Sequence, residues 1–497
     1  MRLTVVLAWC QLTIVCLSII RTLYLHPLHN LLGPKTWIAF PILRYISSVR
    51  GRLEIDMRTF HGKYGEAVRF GPDQVSFITA QAWKDIYRHG HGDEQLPKVL
   101  HSTSNPSDII SARNADHSRF RRALSHAFSA RGLQAQEPIL RGYVDKLIQR
   151  LDEIAASPTP VTNMVKWYNL TGFDLIGDLA FGESFGGLDS GEYHHWVATI
   201  FKAMQGMAFV KLRDAYPLLF RILSPWLASE SLMEARERQI EYSTLTVRKR
   251  LQNSLNRGPA DFMDSMLRHH GDKEKGMTDK EIEANANILI IAGSETTATL
   301  LSGVTYWLLR TPDALRKVTD EIRSSIKSDT DITFRTTSHL PYMLACLTEA
   351  LRIYPPVPGG LERSTLPPNP VNISGYMIPP GTKVSVHQLS AYRSPLNFHR
   401  ASEFLPERWL PCAKEDPSSP FYHDNRDVLQ PFSVGPRNCI GRNLANAEMR
   451  MILARVLWNF DLKLCPESTS GWEEQRSFML WEKKPLMCFV KRREGLE

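Results

Sequence analysis

Cysteine is scarce here and poorly spaced for cross-linking: the 497-residue chain has seven, an odd number, and no C-x-x-C pair. That argues against a disulfide framework and a sulfur-rich zinc site, and suits a reducing compartment. An excess of one charge is lacking too. The net charge of +8 is thinly spread, with no basic stripe interleaved with aromatics, so no nucleic acid is expected as partner. An acidic protein or anionic lipid fits that charge better. No dinucleotide fingerprint occurs, so the chain itself is not expected to hold a dinucleotide cofactor. Internal repeats are absent, and so is any linker beyond residue 50.

What the chain does have begins with an apolar run, Leu3 to Ile20, between Arg2 and Arg21. About 18 helical residues span roughly 27 Å, just enough for a bilayer core. Arg21, Lys35, Arg44, Arg50 and Arg52 follow it, which places the remainder on the cytosolic side. Residues 1–25 are read as a membrane anchor, with a secretory signal as the rival. Residues 26–50 are read as a hinge linker, because His26-Pro27-Leu28 and Gly33-Pro34 break a helix. Residues 51–497 are read as one large catalytic domain, mostly α with small β-sheets. Ala67–Phe70 and Val75–Ile78 predict a hairpin. The longest helix is expected from a Thr278/Glu281 capping box to about Arg310, stopped by Thr311-Pro312. Its apolar middle should cross the core.

Four constellations carry chemistry. In Phe432-Ser-Val-Gly435-Pro-Arg437-Asn-Cys439-Ile-Gly441, a cysteine sits on a glycine-bracketed loop just before a helix. Free N–H groups and the positive dipole end should favour a thiolate. Arg437 can hold a ligand carboxylate, and Phe432 can shield the sulfur. One thiolate ligand suits a large metal cofactor, which means haem. This loop, F-x-x-G-x-R-x-C-x-G, resembles the haem-binding loop of the cytochrome P-450 family.

The resemblance extends over nearly the whole chain. Ala292-Gly293-Ser294-Glu295-Thr296-Thr297 looks like the family's oxygen-activation motif, which implies that Glu295 and Thr296 relay protons as catalytic residues. The plain alternative is a polar step in a buried helix. Glu349-Ala-Leu-Arg352 is by default a surface pair at i,i+3. It resembles E-x-x-R, however, and Phe404-x-Pro406-Glu407-Arg408-Trp409 resembles the partnering F-x-P-E-R. That match implies a buried structural network of Glu349, Arg352 and Arg408. His117 stands where relatives commonly have Trp, in W-x-x-x-R, and is followed by Arg121. With Arg363, these two are the further cofactor-binding candidates, while Arg119 and Arg122 would form a basic face for an electron donor.

By resemblance, the cofactor is haem b with Cys439 as its metal ligand, cradled by Arg437, Phe432 and Gly441. Electrons come singly from NADPH through a separate NADPH–cytochrome P-450 reductase, with cytochrome b5 as a second donor. Dioxygen is the oxidant, and a lipophilic small molecule is hydroxylated or epoxidised at an endoplasmic reticulum membrane. His26-Pro27-Leu28, His117 and Phe173–Gly182 resemble fungal members that tailor terpenoid or polyketide secondary metabolites. Substrate walls are expected near 95–112, 200–225, 288–297, 355–362 and 475–481, including Phe201, Met204, Met207, Phe209, Leu361 and Phe478. Two rivals are a haem-thiolate isomerase or dehydratase needing no reductase, and a haem sensor without substrate.

Overall fold

The computed structural model describes residues 2–88, 95–102, 104–227, 241, 244–245, 247–249, 262–269, 272 and 274–495. The fold is mostly helical with small sheets. The chain divides into two compact units: Met1–Val99 with Pro358–Ala401 and Asp424–Asn438, and Leu100–Val357 with Ser402–His423 and Cys439–Glu497.

The first unit is built on a four-stranded sheet. The expected hairpin is present as Ala67–Gly71 against Gln74–Phe77, antiparallel, with Val68 opposite Ser76. Gln74–Phe77 then runs parallel to Lys383–Val386, which pairs with Arg363–Ser364. Val68, Val75 and Val384 are wholly buried, as β-branched residues suit a covered pleat. Helix Ala80–Tyr87 follows the sheet, its first turn capped by Thr79, whose hydroxyl accepts from the Ala82 N–H.

Within residues 26–50, read as a hinge linker, helix Lys35–Ala39 packs against strand Ala67–Gly71. Helices Lys35–Ala39 and Ile42–Val49 form there, with Trp37 edge-on to Phe60 at 4.8 Å. The Arg69 N–H donates to the Leu32 carbonyl, and a Cβ at Gly33 would lie 1.8 Å from the Arg69 carbonyl oxygen. Glycine at 33 is therefore a docking point. Ahead of it, helix Arg2–Ile20 continues into the π-turn Arg21–Leu25. Trp9, Leu12, Ile14, Leu17 and Leu25 on it are exposed. The apolar stretch recognised there, Leu12–Leu25, falls short of the ~20 residues that span a bilayer.

The second unit is organised by helix Asp279–Arg310. Its N-terminus has the expected capping box: Thr278 accepts from the Glu281 N–H, and Glu281 accepts from the Thr278 N–H. It is the one described helix long and apolar enough to cross a membrane, yet its apolar window is 72% buried inside the protein. It is a core helix. Helix Met164–Phe181, almost wholly buried, packs along it. The approach is close at two glycines: a Cβ at Gly172 would lie 3.1 Å from the Ser294 carbonyl, and one at Gly293 would meet Ile176 at 2.8 Å. Helix Pro341–Ile353 and the final helix Arg442–Asn459 complete this core. A three-stranded antiparallel sheet, Val161–Asn163, Met487–Arg492, Phe460–Leu464, closes it.

Candidate active site

Cys439 lies three residues before helix Arg442–Asn459, as its motif requires. It retains accessible surface, although protein crowds it closely enough for burial to dominate its titration. The thiol therefore sits at the bottom of a recess. Burial pushes it above its ordinary value, opposed by the Gly441 N–H and by the charges of Arg121 and Arg442. The helix N–H anticipated as thiolate-forming is present, and the charges of Arg121 and Arg442, not anticipated, add to it, but desolvation outweighs them in the protein alone. Of the two glycines bracketing the motif, Gly435 is conformationally required: its φ is +76°, and a Cβ would lie 2.0 Å from the Tyr87 carbonyl oxygen. Gly441 is different. Its φ is −80°, and a Cβ would make only ordinary contact, 3.9 Å from Cys439 Sγ.

The first unit brings Arg437 and Arg363 together. Burial is the larger influence on Arg437, and the Arg363 charge adds to it, lowering Arg437 to about 10. Arg363 is itself buried, its guanidinium stacked over Tyr87 at 5.1 Å and donating to the Glu362 carbonyl at 3.1 Å. Two like charges within electrostatic reach of each other, one buried and one half-buried, suit a dianionic or doubly carboxylated ligand. Phe432 is half-buried, and Ser433 after it holds a φ of +58°. In the second unit, helix Asn114–Ser125 carries buried His117 and half-buried Arg121. Arg121 is within electrostatic reach of Cys439. Arg119 does not offer the free basic face expected of it, because Glu281, Asp116 and the Gly276 carbonyl take its donors.

On the long helix, Ile288, Ala292 and Thr296 recur at i,i+4 and keep accessible surface, while Leu289, Ile290, Ser294, Glu295 and Thr297 are buried. An exposed alanine in mid-core marks an open strip inside the fold. The Thr296 hydroxyl donates to the Ala292 carbonyl at 2.6 Å on that strip, the bond to the preceding turn that its sequence suggests, while the α-helix runs on without a break. Glu295 is in another environment altogether. It is 0% exposed; one oxygen accepts from Lys483 and Thr299, and the other is buried with no hydrogen-bond partner. The expected acid–alcohol pair is thus adjacent in sequence but divided in space.

Glu349, Arg352 and Arg408 are all 0% exposed, which removes the surface-pair alternative. The Glu349 carboxylate accepts two donors from Arg352, at 2.8 and 2.7 Å, and Arg408 Nε at 3.1 Å. It also accepts the Leu405 N–H and Trp409 Nε1.

Of the expected substrate walls, Met204 and Phe478 are buried, while Met207, Phe209 and Leu361 are partly so. The Phe201 side chain lies outside the described residues.

Two polar residues escaped the sequence reading. Lys483, 2% exposed, reaches Glu295 from the C-terminal segment. Nothing local distinguishes it from Lys484 beside it. Glu448, wholly enclosed on helix Arg442–Asn459, approaches the Thr297 hydroxyl and is raised by burial to about 8. Its signal was available: it interrupts the apolar stripe Leu444, Met451, Ile452.

A profile of the cytochrome P450 family matches residues 32–489. The cytochrome P450 monooxygenase olcB of Penicillium canescens is 57% identical over 473 residues, covering 95% of both chains. The trichothecene C-4 hydroxylase of Trichoderma arundinaceum is 56% identical, over 95% of this chain and 94% of its own. The averantin hydroxylase of Dothistroma septosporum is 41% identical over 94% and 87%. With a cysteine loop leading into its final helix and a long core helix that carries Glu295 and Thr296, this chain belongs to the cytochrome P450 family and is a monooxygenase.

Proposed function

We propose that the chain hydroxylates a lipophilic secondary metabolite, of the kind that its relatives' names give as trichothecene and averantin, with haem held through Cys439. The observation that carries this reading is the accessible, recessed Cys439 immediately before a helix, within a family match that spans the chain. The family implies a haem-thiolate cofactor and an external source of electrons, and NADPH–cytochrome P-450 reductase is the partner proposed here.

The residues fit such a group. Cys439 would supply the soft ligand, Arg437 and Arg363 would take one end's carboxylates, and Arg121 and His117 would add donors. Bound haem supplies dioxygen binding and oxidising power. The protein's own work lies around it. The open strip of Ala292 and Thr296 would admit a small ligand, and the Thr296 hydroxyl would pass a proton there. Glu295 would replenish that proton from within the helix packing. Apolar walls including Met204 and Phe478 would exclude water and orient the substrate.

An N-terminal membrane anchor at the endoplasmic reticulum is part of the proposal. Its support is the exposed row Trp9, Leu12, Ile14, Leu17 and Leu25 on one helix, apolar surface that water does not favour.

Carbon monoxide added to the reduced protein tests the ligand. The red-shifted Soret band of thiolate ligation is expected, and Cys439→Ala should abolish it; an unchanged band would refute the assignment. Titration with trichothecene and averantin should shift the haem spectrum for at least one of them. Silence from both would remove these substrate classes.

A further inference from the structure

Glu295 is the only acid between Glu283 and Arg310 of the long helix, and it does not point into the open strip. Its nearest partner is Lys483, whose ammonium donates both to Glu295 and, at 2.9 Å, to the Thr299 hydroxyl one turn on. Both side chains of the pair are essentially inaccessible, at 2% and 0%. Burial moves Glu295 up and Lys483 down, and each group's charge opposes the other's shift. Tyr193 also faces this carboxylate, and its hydroxyl accepts from Asn169 Nδ2 at 3.1 Å.

The position of Lys483 in the chain adds a second observation. It directly follows the hairpin Arg476–Phe478 and Leu480–Glu482, which turns at Met479 with a φ of +78° and 53% exposure. Glu482, beside Lys483, accepts from Gln205 on helix His195–Ala215 at 2.5 Å and from Arg476 at 2.9 Å. Both the hairpin and that helix carry expected substrate walls. Lys483 is thus one peptide removed from a residue bonded to both elements.

We propose that Lys483 is the positioning residue of Glu295, holding its carboxylate off the strip that carries Thr296 and tying its release to the hairpin and to helix His195–Ala215. The inference rests on the proton-delivery reading given above for Glu295. A buried pair is a costly way to gain stability, since desolvation offsets much of the attraction. One oxygen of Glu295 is also left without a hydrogen bond, and a buried polar atom left so calls for a functional account. A carboxylate with one bonded and one unbonded oxygen is held in place without being fully satisfied there. Exchange of its partners then requires breaking the bonds of one oxygen only, those from Lys483 and Thr299.

Infrared difference spectroscopy on the purified, substrate-free holoprotein provides the test. Glu295→Gln identifies the Glu295 bands. In Lys483→Met those bands should move from carboxylate to protonated carboxyl, whereas Lys483→Arg should keep the carboxylate. Tyr193→Phe should leave them in place. In turnover with reductase and whichever of trichothecene or averantin shifts the spectrum, Lys483→Met should lower product per NADPH by about tenfold or more. Lys483→Arg should restore most of it. Where Lys483→Met fails to retain haem, Lys483→Gln takes its place. If Glu295→Gln couples normally, the relay reading itself fails. If Glu295→Gln uncouples but the Lys483 variants leave both bands and coupling unchanged, Lys483 has no positioning role and the relay reading stands.

Discussion

Arg352 reaches back one helical turn and sets two parallel donors, at 2.8 and 2.7 Å, on the two oxygens of Glu349. That fork leaves room for three further donors, from Arg408, Leu405 and Trp409. The carboxylate is fully satisfied, and the Arg352 fork is also fixed to the Glu403 carbonyl at 2.8 Å. Geometry of this quality is what lets a buried ion network persist despite its desolvation cost.

Glu349→Gln should therefore be severe although the shape is conserved. It leaves two buried guanidiniums without their counter-charge, a loss on the order of 3–5 kcal/mol. The thermal unfolding midpoint and the haem retained after purification measure it. A variant with both unchanged would show that the network contributes little.

The cysteine loop offers a contrast between two glycines. Gly435→Ala combines a left-handed backbone with a Cβ at 2.0 Å from a carbonyl oxygen, and the backbone strain alone is worth about 1–3 kcal/mol. Loss of folded protein is expected. Gly441→Ala meets nothing closer than 3.7 Å, so the apoprotein should unfold as the wild type does. Its methyl would lie beside Cys439 Sγ, and the haem spectrum should respond. Equal stability of the two variants would contradict this reading.

Much of the architecture was legible because it is locally encoded. The Thr278–Glu281 box, the stop at Thr311-Pro312 and the hairpin at Gly71-Pro72 each involve residues a few positions apart. So does the Glu349–Arg352 spacing, whose burial and whose pairing with Arg408 came from the family resemblance and not from the spacing. Residues paired across the fold outside such motifs were not legible. Lys483 meets Glu295 across 188 positions, and neither periodicity nor capping chemistry marks a lysine for such a partner. The same limit explains Arg119, whose basic neighbours suggested a docking face while Glu281, 162 positions on, claims it. Gly33 likewise read as a hinge residue because its contact with Arg69 is tertiary.

Thr296→Ala should leave the fold intact. The hydroxyl donates to the Ala292 carbonyl of its own helix, and such back-bonding adds little stability. Haem content and substrate-induced spectral shifts should match the wild type. Product formed per NADPH should fall, with peroxide released instead. Full coupling in the variant would remove Thr296 from proton delivery.

Glu448 gives a pH-dependent prediction with a definite sign. Burial raises its carboxyl from 4.5 to about 8, so the folded protein holds a proton that the unfolded chain releases earlier. Below about pH 4.5 both states are protonated and the contribution to stability is complete. As pH rises through the interval to about 8, the unfolded state is increasingly favoured, and above that the loss levels off. Glu448→Gln removes the titration while keeping a polar group beside Thr297. Its unfolding midpoint relative to wild type should therefore climb steadily between about pH 5 and 8. Parallel curves for the two proteins across that range would mean that Glu448 is already ionised in the folded state, with a partner in the core to match.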